Sequence, residues 1–290
     1  MADAPNAPQA QRSFSERLVA IDRRVIFLFI GVALLVPLFL NVTQTMIISR
    51  EVQSLYDAME ALPPGAKVLL ACDYDPPSSP ELQPMAVTAV KYCFLHRLKV
   101  IVMGLWPQGP QQADLAIRVA LKDPEVVKVN PQYGIDYCNL GFQAGNEVVI
   151  QKMGSDISGT FPKDWRGTEV KTLSIMTGIK NFSNIDFIFN LSAGYPGTRE
   201  WVQLAADRFH AKLVSAATAV QTPEYTPYLG RQLLGILGGM KGAAEFEALT
   251  TYRGKATKFM LAQSLSHLIV VAFIIIGNAA YFASRKKKGA

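Results

Sequence analysis

The chain has 290 residues, 50% apolar and 18% charged, a formal net charge of +6 and three cysteines. That length and apolar share suffice to bury a full core in one large domain or two small ones. Three cysteines without a CxxC pair exclude a disulfide framework and argue against a zinc or redox centre. The positive charge gathers at the flanks of apolar runs, which marks lipid contact and topology and not a nucleic-acid footprint.

Residues 1–24 open with an alanine- and proline-rich tail, MADAPNAPQAQ, which has no apolar periodicity. Phe14, Leu18 and Ile21 then recur at helical spacing, predicting a short amphipathic segment. Val25 to Ser49 contains no charged residue, so 25–48 reads as a first transmembrane helix, long enough for a hydrocarbon layer of about 30 Å. A cleaved secretory signal is the alternative, but its apolar region spans only about 7–15 residues. Pro37 inside the span is tolerated without a functional role. Over 49–64, Val52, Leu55, Met59 and Leu62 predict a helical connector, stopped by Pro63, Pro64 and Gly65.

From 65 to 250, short apolar runs alternate with helical patterns. Strands are predicted at Val68–Cys72, Val100–Leu105, Tyr133–Leu140, Ile185–Leu191 and Lys212–Thr218. Helices are predicted over Glu81–Arg97, Ala113–Lys122, Ala144–Met153, Thr168–Ile179, Trp201–His210 and Pro227–Leu249. Such alternation implies a mostly parallel sheet covered on both faces: an α/β domain, Rossmann-like or flavodoxin-like, with three layers. A basic connector at 251–258 leads to a second uncharged run, so 259–284 reads as a second transmembrane helix, closed by the basic tail 285–290. The outer flank of each span is the more basic. Both termini are therefore expected in the cytoplasm, in a two-pass protein whose middle domain faces outward.

In a parallel sheet the carboxyl ends of the strands converge on one site. That rule gathers Asp73 and Asp75 after the first strand, Asn139 on the third, Ser192, Gly194, Gly197 and Thr198 after the fourth, and Thr218 after the last. Two aspartates two residues apart suit a hard cation or a general base, but beside Pro and Ser they suit turn capping better. In SAGYPGT the glycines let backbone approach a ligand, and Thr198 offers a hydroxyl at a helix start; a tight turn explains the same residues. The loop has no GK[ST] and no GxGxxG, so nucleotide binding is disfavoured and no cofactor is assigned. No GxSxG, HExxH or kinase motif is present, and neither His96 nor His210 can be tied to Ser192 by spacing. Cys72 and Cys138 both fall on predicted strands that adjacency would let bridge.

Gly235, Gly238, Gly239 and Gly242 recur at three- and four-residue spacing within the last predicted helix, giving it a face almost without side chains. Glycine costs up to about 1 kcal/mol inside a helix, so such a face implies close packing, inside the domain or with another subunit. The expected function is a structural or ligand-sensing subunit of a membrane complex, in contact with the bilayer and with other membrane subunits or its own copies. The alternative is a tethered hydrolase or metal-dependent enzyme using Asp73, Asp75, Asn139 and Ser192. Transport is disfavoured, because neither span carries a carboxylate.

Overall fold

In a computed structural model, residues 22–39, 45–252 and 254–288 are described. The chain divides into two compact units, one formed by the apolar helices and the other by Gln44–Thr257. The second unit is an α/β domain on six parallel strands: β1 (Lys67–Asp73), β2 (Lys99–Gly104), β3 (Tyr137–Phe142), β4 (Phe187–Ser192), β5 (Leu213–Ala217) and β6 (Leu233–Gly238). Their spatial order is β3-β2-β1-β4-β5-β6. It reverses direction between β1 and β4, the switch point of a Rossmann-like sheet.

Runs such as VLLAC and FIFNL are buried on both faces because helices cover both faces. The first helix, α1 (Arg23–Phe39), belongs to the other unit. On one side of the sheet lie α2 (Arg50–Glu60), α3 (Ser79–Leu95), α4 (Gly109–Ala120) and α11 (Gly239–Leu249). A short α5 (Pro124–Val129) precedes β3. The opposite side carries α6 (Glu147–Met153), α7 (Ile157–Thr160), α8 (Thr198–Trp201) with a π-helical turn at Val202–Ala206, and α9 (Asp207–Phe209). There Leu69, Ile101 and Ile188 pack with Val149, Met153, Phe182 and Trp201 in one buried cluster. A short α10 (Thr222–Tyr225) follows β5.

Several expectations are corrected. Pro227–Leu249 is not one helix: Leu233–Gly238 is β6, and only Gly239–Leu249 is helical. Gly230 at φ +76° and Gly239 at φ +57° break the chain on either side of an apolar run too glycine-rich for a good helix. The inference of close packing still applies, in another setting. A Cβ on Gly235 would lie 2.5 Å from the backbone nitrogen of Leu55, so glycine here lets β6 meet the backbone of α2. Thr168–Ile179 forms only 3-10 turns at Val170–Thr172 and Ser174–Met176. Hydroxyls there bond to the backbone, as Thr172 Oγ1 does to the Glu169 carbonyl at 2.7 Å, and Gly178 has φ +76°. The third strand begins at Tyr137, four residues later than expected. Cys72 and Cys138 are not neighbours, since β2 separates β1 from β3; at about 4.8 Å per strand they stand beyond bridging distance.

The membrane segments are also revised. Among the described residues one stretch, Lys255–Ala283 of α12 (Lys255–Lys288), is long and apolar enough to cross a membrane. Its Leu268, Ile275 and Phe282 are more than 60% exposed. The first apolar run forms the 17-residue α1, and residues 45–49 are not helical, so no continuous helix over 25–48 is described. Residues 40–44 lie outside the described set, as do the N-terminal tail, nearly all of the amphipathic segment, and Gly289 and Ala290 at the end of the basic tail. Within the unit formed by α1 and most of α12, Phe29 and Phe273 meet edge to face at 5.8 Å between ring centres.

Helix α11 carries two buried carboxylates with distinct tasks. Glu247 accepts hydrogen bonds from the backbone nitrogens of Gly254, Ala256 and Thr257 and from the Thr257 hydroxyl, all at 2.6–3.0 Å. These are the otherwise unpaired donors at the start of α12. Glu245 accepts from the backbone nitrogen and hydroxyl of Ser49, the residue just before α2, and pairs with Lys241.

Two outcomes test this packing. Gly235→Val forces β6 and α2 apart and lowers stability by about 1–3 kcal/mol, read as a reduced urea midpoint. Glu247→Ala strands several buried donors and costs about 3 kcal/mol or more, whereas Glu247→Gln, which keeps one acceptor, loses less; thermal unfolding of the full chain in detergent distinguishes them.

Candidate functional site

The carboxyl ends of β1 and β4 are where the sequence places its site, and Asp73 and Ser192 stand opposite each other in the β1–β4 register. Asp73 is fully buried. One of its oxygens accepts the Leu105 backbone N–H at 2.7 Å. The other accepts the Asn190 side-chain amide at 2.7 Å and the Trp201 indole N–H at 2.8 Å. The carboxyl thus joins the end of β1 to the residue after β2, to the middle of β4 and to α8. Burial pushes its pKa up from 3.8 to about 7; the donors from Leu105, Trp201 and Asn190 oppose that rise, and the nearby negative charge of Glu200 adds to it.

The network continues from Asn190, whose side-chain oxygen accepts the Thr198 hydroxyl at 2.7 Å. That hydroxyl also contacts Ser215 Oγ on β5 at 2.7 Å. Ser192 Oγ donates to the Gly194 carbonyl at 3.2 Å, accepts from the Thr198 backbone N–H at 3.3 Å, and meets the Tyr225 hydroxyl at 3.3 Å. A Cβ on Gly197 would lie 2.0 Å from Ser192 Oγ, so glycine is needed for the loop to fold back over this serine. Glu200 accepts the Gly197 backbone N–H at 2.8 Å, closing the start of α8 from within.

The rest of the crevice is bridged by the protein's own side chains. Trp106, after β2, donates its indole N–H to the Pro196 carbonyl at 2.8 Å. Tyr195 donates its hydroxyl to Glu147 at 2.6 Å, and Glu81 of α3 crosses to accept the Ala219 backbone N–H at 2.8 Å. A carboxylate therefore occupies the backbone donor that an anionic ligand would seek at this edge.

The remaining sequence candidates separate from this cluster. Asp75 caps its own turn, accepting the backbone N–H and hydroxyl of Ser78 at 3.2 and 2.8 Å, which is the capping role weighed above. Asn139 lies on the edge strand β3, where it donates to the Pro110 carbonyl and accepts the Gly141 N–H, each at 3.0 Å. Gly194 packs beside the Trp106 ring. Thr218 serves through its backbone carbonyl, which accepts from Gln221, Thr222 and the Thr222 hydroxyl. The structure thus brings together Asp73, Ser192, Gly197 and Thr198, and adds Asn190, Trp201, Ser215, Tyr225 and Glu200. The signal for Asn190 and Ser215 was available: each is a polar residue set inside an apolar strand, FIFNLS and LVSAA.

Chemically, this is a set of mutually satisfied groups. His96 is stacked on Tyr92 at the end of α3, and His210 follows α9, so both lie toward the opposite end of the sheet from Ser192. Among the described residues no group of three or more His, Cys, Asp or Glu side chains converges as a metal site. Burial pushes the thiols of Cys93 and Cys138 up to about 12, which leaves them as unreactive packing groups. Searches against protein-family models, curated proteins and solved structures returned no match.

A buried acid whose pKa is raised on folding stabilises the fold below its unfolded pKa, and that stability is lost as pH rises through the folded value. Stability should therefore decline between about pH 4 and 7, by up to about 4 kcal/mol, and level off above. Urea midpoints across this range should show the decline in the wild type and lose that component in Asp73→Asn.

Proposed function

We propose that the protein is a membrane-anchored α/β domain acting as a structural or ligand-sensing subunit of a larger membrane assembly. The observation carrying this reading is the state of the switch point: the Asp73, Asn190, Ser192 and Thr198 side chains spend their hydrogen bonds on one another and on adjacent backbone. Groups committed in this way hold a shape better than they attack a substrate. A hydrolase needs a nucleophile beside a base, and Ser192 Oγ is instead surrounded by a carbonyl, a backbone N–H and a phenol. The tethered-enzyme alternative is accordingly the weaker one.

Anchoring is supported by the exposed apolar side chains of Lys255–Ala283. For α1, a helix of 17 residues, the support is limited to its exposed apolar side chains, Phe27 and Leu28 being each about two-thirds exposed. In this reading both helices enter the bilayer, both termini are cytoplasmic by the basic flanks, and the domain lies on the other side. The partners are lipid and other membrane subunits or further copies of the chain, with no role for nucleic acid.

Purification of the full chain in mild detergent tests the proposal. The expected result is co-elution with partner proteins in fixed ratio, or a homo-oligomer of defined size. A monomer that turns over ester or phosphate substrates, and loses that turnover in Ser192→Ala while staying folded, would establish the enzyme instead.

A further inference from the structure

A separate cleft of about 270 Å³ lies where the start of α2 meets β6, α10 and α11. Its polar lining comes from Ser49, Glu51, Thr222, Thr226, Lys241 and Glu245. The hydroxyls share one feature. Ser49 Oγ donates to Glu245 at 2.6 Å, Thr222 Oγ1 to the Thr218 carbonyl at 2.9 Å, and Thr226 Oγ1 to the Thr222 carbonyl at 3.1 Å. Each proton is thus committed to protein, and what the three hydroxyls retain for a ligand is acceptor capacity. Two carboxylates add to it, against one ammonium. The cleft is acceptor-rich and carries a surplus negative charge, which suits a cationic donor.

Lys241 already shows how such a cation is held. The Glu245 carboxylate is fully buried, and leaving it unpaired would be costly. Yet its cation arrives on a side chain that is 60% exposed and long enough to swing away. An ammonium from outside could take that place without leaving the carboxylate unpaired. A hard metal ion fits less well: Ca²⁺ takes about 6–8 oxygen ligands, and no cluster of three metal-ligating side chains is present among the described residues. Val52 and Ile236 give the cleft an apolar wall for a short alkyl chain.

We propose that this cleft binds a small organic ammonium, whose charged head replaces Lys241 at Glu245 with one N–H and donates the other two to the hydroxyls of Thr222 and Thr226. This deepens the ligand-sensing form of the function proposed above and rests on it. Because Glu245 also holds Ser49 at the start of α2, occupancy acts on the segment that enters the domain.

The test uses the full chain in detergent with n-butylammonium chloride, n-butanol as the uncharged analogue, and potassium chloride at matched ionic strength. Calorimetry should detect butylammonium binding to the wild type and none for the other two. Thr226→Val should weaken it by about fivefold or more, as loss of one acceptor for a charged donor implies. Lys241→Met should lower the thermal midpoint, and butylammonium alone should restore it. Equal restoration by butanol or salt, or no binding to the wild type, overturns the assignment. If Lys241→Met does not fold, the wild-type and Thr226→Val titrations decide. Partner co-elution is scored independently: retained partners without ammonium binding remove this site and leave the subunit role intact.

Discussion

At the end of the central strand, one carboxyl group receives three N–H donors from three different parts of the chain, and the arrangement of the sheet's carboxyl edge follows from it. Asp73 fixes the chain just after β2 through Leu105, the middle of β4 through Asn190, and α8 through Trp201. Burial of this carboxyl is costly without donors, and each of the three N–H groups offsets part of that cost. Asn190 passes the constraint to Thr198 and thence to Ser215, so β5 is tied to β1 by side chains across β4. The π-helical turn right after Trp201 belongs to the same arrangement, since it begins beside the indole that must reach Asp73.

The strand order is one that many nucleotide-binding proteins share, but the switch point here is built differently from a phosphate site. Phosphate recognition at this position uses glycines after the first strand and free backbone donors at the next helix. The corresponding segment reads DYDPPSSPE, with three prolines and a self-capping Asp75. Glu81 then brings negative charge to the Ala219 N–H. Fold and activity are therefore decoupled, and the argument for function has to come from specific groups.

Much of the architecture was legible from the residues. Val68–Cys72 and Ile185–Leu191 read as buried parallel strands because their apolar runs are short, uninterrupted and bounded by turn formers, and both are strands within a residue or two. The same logic failed at Leu233–Gly238, where glycines spaced by three and four imitate a helix face; what decides there is contact with the backbone of α2, a partner distant in sequence. The candidate site was legible at Asp73, Ser192 and Thr198, which lie at strand ends. Trp201, the first residue of the helix predicted over Trp201–His210, reads only as a helix residue, because its indole reaches Asp73 across 128 positions of chain. Asp75 and Asn139 looked equivalent to Asp73 by position, and only local geometry separates a turn cap and an edge-strand tie from the central carboxyl.

Glu245 and Glu247 sit two residues apart on a helix of 11 residues, and each fastens a different point of chain entry or exit. One helix thus holds both the residue that precedes α2 and the residues that open α12. The two carboxylates make α11 a shared fastening for chain segments that are some two hundred positions apart in sequence. That fastening lies on the helical layer, while the buried polar network of Asp73 and Asn190 lies at the carboxyl edge of the sheet, so the two sets of buried polar groups share no residue.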